Sequence, residues 1–197
     1  MRNRFTKVLM VFSIAAFSGA LLRAVGPSDH GPAAADRTRD GRVERGAYLV
    51  KRMGCNDCHT PWKLGPKGPE PDMTRELTGH PSELVMPPAP PASGPWVAHI
   101  SATNTAWAGP WGVSFTANLT PDPETGLGKW TEEMFIATMR TGRHQGKGRP
   151  LLPPMPYWML GALDDADLCS VFAYLQSLPP VKNRVPAPVD PPEGETR

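Results

Sequence analysis

The chain has 197 residues, enough for one domain with appendages, and 40 % of them are hydrophobic. It contains 25 prolines and 19 glycines, a share below the roughly 25–30 % expected of a disordered low-complexity chain, so we expect a small ordered core with much irregular chain around it. The net charge of +2 includes four cations in the first 24 residues, and without them the balance is acidic, so we expect no nucleic-acid partner.

The first 24 residues have the pattern of an export signal. A positive segment with Arg2, Arg4 and Lys7 precedes the apolar run 8–22, and this run is shorter than the roughly 20 residues of a membrane span. An N-terminal anchor that is not cleaved is the alternative. We expect a periplasmic protein, with residues 25–39 as a linker and membrane association through the N-terminus if the segment is retained.

Residues 40–54 predict the first helix. Asp40 suits its N-terminal cap and Gly54 its end. The apolar residues at helical spacing are Val43, Ala47 and Val50, with Tyr48 and Leu49 beside them.

Cys55, Cys58 and His59 form a C-x-x-C-H sequence directly after this helix. This is the attachment sequence of c-type haem. Two thiols three positions apart on a helical turn reach the two vinyl groups of the porphyrin, and the following histidine lies under the iron as the proximal ligand. The single motif predicts one covalent haem c.

Three other interpretations of the motif are weaker. A dithiol redox motif requires a βαβ context that this chain lacks. A disulfide between Cys55 and Cys58 would leave His59 without a role. Zinc requires four ligands, and the third cysteine, Cys169, lies far along the chain, where we interpret it as a buried apolar residue of a helix.

Residues 60–115 show no periodicity and predict a long loop inserted in the domain. The proline-rich run 87–91 disfavours helix and central strand alike. Five aromatic residues indicate that part of the loop packs against the core; they are Trp62, Trp96, Trp107, Trp111 and Phe115. We expect turns and polyproline-like conformation here, without strands.

Two more helices are predicted downstream. Thr131 caps the second, which ends at Gly142, and Asp164 caps the third, which ends at Leu178 before two prolines. The expected buried faces are Met134, Phe135, Thr138 and Met139 in the second helix, and Leu168, Val171, Phe172 and Leu175 in the third. The proline-rich residues 186–197 are expected to form an extended tail.

Met155 is our candidate for the second axial ligand of the iron. It stands among prolines between the second and third helices, where no helix face requires it for packing, and a thioether ligand raises the reduction potential. Met86 is the main rival. The weaker candidates are Met159, His80, His99 and His144.

These features together resemble the class I c-type cytochrome family, in particular the larger single-haem cytochromes that serve bacterial periplasmic dehydrogenases. The resemblance covers residues 40–185. The matching stretches are 45–49, 54–61, 117–126, 134–142, 153–156 and 172–175.

The resemblance implies a mainly α, cytochrome c-like domain of few helices with long irregular loops rich in proline and glycine. In it the first and last helices cross, with Gly46 close to Phe172 or Tyr174, and the iron is bound by His59 and a methionine at the position of Met155. It also implies redox proteins as partners, namely a dehydrogenase as electron donor and an oxidase or another cytochrome as acceptor. Here the insertion 60–115 separates the two ligands, and it is expected to cover the haem edge or to dock a partner.

Three functions remain open at this point. The sequence favours an electron carrier, which performs no bond chemistry on a substrate and is not itself an enzyme. A peroxidase-like haem enzyme with an open sixth position is the alternative, and a structural module without haem is the third.

Overall fold

A computed structural model of the protein describes residues 39–90 and 96–191. The predicted export signal and nearly all of the linker lie outside these residues, as does the end of the predicted tail. None of the helices in the described ranges is long and apolar enough to cross a membrane.

The described ranges contain five α-helices and two small antiparallel sheets, so the fold is not purely helical. The helices are α1 (Arg39–Arg52), α2 (Cys55–His59), α3 (Glu132–Thr141), α4 (Tyr157–Leu160) and α5 (Asp165–Ser177). The first sheet pairs β1 (Trp62–Gly65) with β2 (Gly68–Pro71). The second has β3 (His99–Ile100), β4 (Ala106–Gly109) and β5 (Gly112–Phe115) in that order.

The three predicted helices are present, and the caps of the second and third act as expected. The prediction that Asp40 caps the first helix was wrong, because α1 begins at Arg39 and Asp40 lies in its first turn. The Thr131 side chain accepts a hydrogen bond from the backbone N–H of Met134, and the Asp164 side chain accepts one from Asp167. Gly142 ends α3 in the left-handed region, at φ 64°. The prediction that Met134 is buried was wrong, because it lies at the edge of the packed face and is 38 % exposed.

One apolar cluster holds the helices together. Helices α1 and α5 cross closely at Gly46, which has no side chain. A Cβ atom at this position would overlap the backbone carbonyl of Ser170. Phe135 of α3 meets Phe172 of α5 with ring centroids 5.4 Å apart. The buried members of this cluster, called the core cluster below, are Leu49, Val50, Leu77, Leu127, Phe135, Met139, Leu160, Leu168, Val171, Phe172 and Leu175.

The expectation that residues 60–115 lack strands was wrong. Both hairpins are closed by a Gly-Pro-x-Gly sequence, at 65–68 and 109–112, and the last glycine of each has positive φ, 117° and 87°. The strands have two to four residues, which is too short to show the alternating pattern by which strands are recognised in sequence. Residues 81–90 form no helix or strand, as the proline content predicts.

The chain after α5 returns along the inserted segment. Val189 exchanges two backbone hydrogen bonds with Val113, at 2.7 and 2.9 Å, so β5 is flanked by β4 on one side and by the tail on the other. Asn183 is 4 % exposed. Its side-chain amide donates to the carbonyls of Thr78 and His80 and accepts from the N–H of Ser82.

Replacing Asn183 by alanine is expected to lower the free energy of unfolding by about 3 kcal/mol, because three buried or half-buried backbone groups lose their partner at about 1–3 kcal/mol each. Urea unfolding of the full chain measures this. Lys182→Ala is the matched control, since its ion pair with Glu124 is exposed and contributes at most about 1 kcal/mol. Equal losses in the two variants would contradict the prediction.

Candidate functional site

The C-x-x-C-H sequence forms the helical turn α2. Gly54 precedes it with φ 69°, a conformation that side chains disfavour and that lets the chain turn from α1 into α2. Cys55 and Cys58 are both half-buried. Burial raises the pKa of the Cys55 thiol to about 11 and raises that of Cys58 as well.

The inserted segment 60–115 makes hydrogen bonds to the helical turn α2 and stabilises it. The carbonyl of Asp57 accepts hydrogen bonds from Trp62 Nε1 at 2.9 Å and from Asn104 Nδ2 at 2.6 Å. The hydroxyl of Thr60 donates to the side chain of Asn56 and accepts from the N–H of Leu77. The backbone around both thiols is therefore fixed by two local contacts and by two, from Asn104 and Leu77, that are more distant in sequence.

His59 is oriented by a backbone carbonyl. Its Nδ1 donates a hydrogen bond to the carbonyl oxygen of Ala117, 2.8 Å away. Because a carbonyl only accepts, the neutral ring carries its proton on Nδ1 and its lone pair on Nε2. Within the described ranges Nε2 has no hydrogen-bond partner, and burial lowers the pKa of His59, which favours the neutral form that binds metals.

The sequence did not identify Ala117 as the residue whose carbonyl binds His59. Ala117 is exposed and contributes only its backbone, so no property of its side chain indicates the contact. The one signal in the sequence is that the stretch 117–126, which begins at Ala117, resembles the cytochrome family.

Met155 lies in a loop held from several directions. The N–H of Leu151 donates to the carbonyl of Gly142 at 2.8 Å, and the N–H of Tyr157 donates to the carbonyl of Met155 at 2.9 Å. The hydroxyl of Ser114 donates to the carbonyl of Pro153 at 2.6 Å. The Met155 side chain is half-buried and packs against the core cluster, as does Cys55.

The rival ligands have other surroundings. His80 is fully buried, with Nδ1 2.9 Å from the hydroxyl of Thr105 and Nε2 2.9 Å from the carbonyl of Leu84, so both nitrogens are occupied. Met159 is 65 % exposed. His144 packs edge-on against Trp130, with ring centroids 5.0 Å apart. Met86 is half-buried in the irregular segment before residue 91.

The residues present fit a covalent haem c by the chemistry of their donors. Two adjacent thiols, a neutral imidazole with a free lone pair and a half-buried thioether are the groups that such a haem requires. Thr116 Oγ1, next to Ala117, is buried without a partner in the described ranges, which leaves it free to bond a polar group of a bound cofactor. The described residues contain no group of three or more His, Cys, Asp or Glu that could hold a metal ion.

Cys169 is a thiol apart from the motif, on α5. Burial, and then a hydrogen bond with Glu132, raises its pKa to about 11 from 9.0. Since only the thiolate is alkylated, we expect iodoacetamide to modify it at pH 7 about 10- to 100-fold more slowly than an ordinary cysteine, with the rate rising as pH approaches 11. Mass spectrometry of timed samples measures this, and a rate independent of pH between 7 and 10 would contradict it.

No protein-family model matches the chain. It is 28 % identical over 171 residues to the fructose dehydrogenase cytochrome subunit of Gluconobacter japonicus, a match that covers 87 % of this chain and 26 % of the relative. It is 30 % identical over 162 residues to the cytochrome c subunit of the quinone-dependent alcohol dehydrogenase of Gluconacetobacter polyoxogenes, covering 79 % and 28 %. It is 34 % identical over 127 residues to one of the subunits of nicotinate dehydrogenase from Pseudomonas putida, covering 52 % and 11 %.

The chain thus spans between about a tenth and somewhat over a quarter of the length of these relatives. It is similar to cytochrome c subunits of dehydrogenases, at low identity. The names of the fructose and alcohol dehydrogenase relatives, which are cytochrome subunits, agree with the expectation of an electron-carrying subunit that is not itself the catalytic enzyme.

Proposed function

We propose that the protein transfers single electrons through one haem c, bonded to Cys55 and Cys58 and ligated by His59 and Met155. The observation that carries this proposal is the geometry of α2. Both thiols precede a histidine whose Nδ1 is engaged by Ala117 and whose Nε2 has no hydrogen-bond partner in the described part of the chain. The similarity to cytochrome c subunits supports it independently.

The haem supplies a reversible one-electron change between Fe(II) and Fe(III), and the chain's own residues tune it. The two thiols fix its position, which matters in a domain whose apolar core is small. The carbonyl of Ala117 orients the imidazole of His59 and increases its basicity. The thioether of Met155 raises the reduction potential.

The proposed partners are redox proteins. The relatives named after fructose and alcohol dehydrogenases are cytochrome subunits of those enzymes, which supports a dehydrogenase as the electron donor here. An oxidase or another cytochrome is the proposed acceptor, and the periplasm the proposed compartment. A dehydrogenase that co-purifies with the native protein would support the donor, and passage of its electrons to a different carrier would contradict it.

Haem attachment is tested by producing the protein in a host with the haem-attachment machinery. The mature chain should gain the mass of one haem and give the spectrum of a c-type pyridine haemochrome. Cys55→Ser and Cys58→Ser should each lose one thioether bond and change that spectrum, and Cys169→Ser is the matched control that should not. An unmodified wild-type chain from such a host would overturn the proposal.

The spectrum of the same preparation separates the two haem functions. An electron carrier with two axial ligands is low-spin and shows the red-edge absorbance of methionine sulfur on ferric iron. A peroxidase-like enzyme with an open sixth position would be high-spin and would bind cyanide at once.

A further inference from the structure

Residues 114–117, which include the end of strand β5 and the two residues after it, contact both segments that carry the proposed iron ligands. The hydroxyl of Ser114 donates a hydrogen bond to the carbonyl of Pro153, two residues before Met155. Three residues later, the carbonyl of Ala117 accepts the proton of His59 Nδ1. An extended stretch of three residues spans roughly 10 Å, so one short piece of backbone connects the two sides of the site.

This stretch is firmly held. β5 pairs with β4 on one edge, and on the other edge Val113 exchanges two backbone hydrogen bonds with Val189 of the tail. Beyond the strand, the N–H of Thr116 donates a hydrogen bond to the backbone carbonyl of Thr105. The carbonyl of Thr116 accepts one from the backbone N–H of His80, and both bonds are 2.9 Å long. Ser114 itself is only 8 % exposed.

Apart from the backbone hydrogen bonds of Leu151 and Tyr157 and the packing of Met155 against the core cluster, few contacts of the described residues hold the loop around Met155. Residues 150, 153, 154 and 156 are prolines and have no N–H to donate. Among the described residues, the Ser114 hydroxyl makes the one side-chain hydrogen bond to segment 151–156. The same hydroxyl lies 3.3 Å from the carbonyl oxygen of Trp107 and 2.6 Å from that of Pro153. Because a hydroxyl has one proton to donate, its main hydrogen bond is the shorter one, to Pro153.

We propose that Ser114 is a positioning residue that holds the Met155 loop against the iron, and that the inserted sheet serves to connect this loop with His59. The proposal rests on the proposed function, since it requires Met155 to be an iron ligand. It gives the segment 60–115 a role within the site itself, beside the edge covering or partner docking that the sequence analysis expects and that the structure does not test.

The test measures how easily imidazole displaces methionine from the ferric haem-loaded protein, followed by the red-edge band. Loss of one such hydrogen bond should favour the displaced form about fivefold, which is the factor in an equilibrium constant that the net strength of a neutral hydrogen bond gives. Ser114→Ala should therefore bind imidazole about fivefold more tightly than the wild type.

Two further comparisons separate positioning from general stability. Ser114→Thr and Ser114→Val have the same shape and differ only in the hydroxyl, so the threonine variant should behave like the wild type and the valine variant like Ser114→Ala. Ser101→Ala removes the acceptor of the hydrogen bonds that the N–H groups of Thr105 and Ala106 donate in the connection between β3 and β4. In the described ranges Ser101 has no hydrogen bond to the Met155 loop, and the variant should leave imidazole binding unchanged.

The outcomes distinguish the two proposals. A wild-type protein with haem but without the red-edge band would overturn the ligation by Met155 and the role of Ser114 together. A wild-type protein that has the band, with the alanine and valine variants binding imidazole as it does, would overturn the role of Ser114 alone. The same would follow if Ser101→Ala had an equal effect.

Discussion

Replacing Met155 by alanine is expected to abolish the red-edge band of the ferric protein and to lower its reduction potential by a value on the order of 0.2 V, within the roughly 0.8 V that axial ligands span. The physical reason is that a thioether stabilises Fe(II) relative to Fe(III) more than the water or hydroxide that would replace it. Optical spectra and a redox titration of the haem-loaded protein measure both effects.

Two methionine variants serve as controls for this prediction. Met159→Ala changes a side chain that is 65 % exposed, four residues further along the chain, and should alter neither the band nor the potential. Met86→Ala removes the main rival, which lies in the inserted segment. If Met86→Ala lost the band while Met155→Ala kept it, the assignment of the ligand would be wrong, although the haem and its attachment would stand.

The helices could be predicted because their signals are local. Thr131 and Asp164 are caps whose side chains bond the backbone three residues ahead, so the information lies within one turn. The buried face of α1 was placed less well. Val43 and Ala47 are only half-buried, whereas the buried positions are Gly46, Leu49 and Val50. The reason is that α5 packs against the side of α1 on which Gly46 lies.

The sheets and the supports of the site could not be derived in the same way. The strands are too short to show a pattern, although the repeated Gly-Pro-x-Gly turns were a usable signal. The contact of His59 with Ala117 crosses 58 positions and that of Ser114 with Pro153 crosses 39. Both use backbone carbonyls as acceptors, which every residue possesses, so neither the composition nor the spacing of side chains could indicate them.

Replacing Gly46 by alanine is expected to destabilise the protein by about 3 kcal/mol, a value at the upper end for overpacking a core. Two effects oppose each other. Alanine is a better helix former than glycine by about 1 kcal/mol, but its Cβ would overlap the Ser170 carbonyl and approach the Cβ of Tyr174 to 2.7 Å. The overlap is expected to dominate, because the backbone of Ser170 and the Cβ atom of Tyr174 cannot move unless the whole of α5 shifts.

A second variant separates the effect of helix propensity from the effect of the steric overlap. It makes the opposite substitution, alanine to glycine, at the next position of the same helix. Ala47→Gly carries the propensity cost of about 1 kcal/mol without adding an atom, and urea unfolding of both variants gives the two free energies. The ion pair of Arg45 with Asp167, at 2.8 Å for both nitrogen–oxygen contacts, fixes the same crossing and limits how far α5 can retreat. A Gly46→Ala protein as stable as the wild type would therefore mean that the two helices are further apart than described.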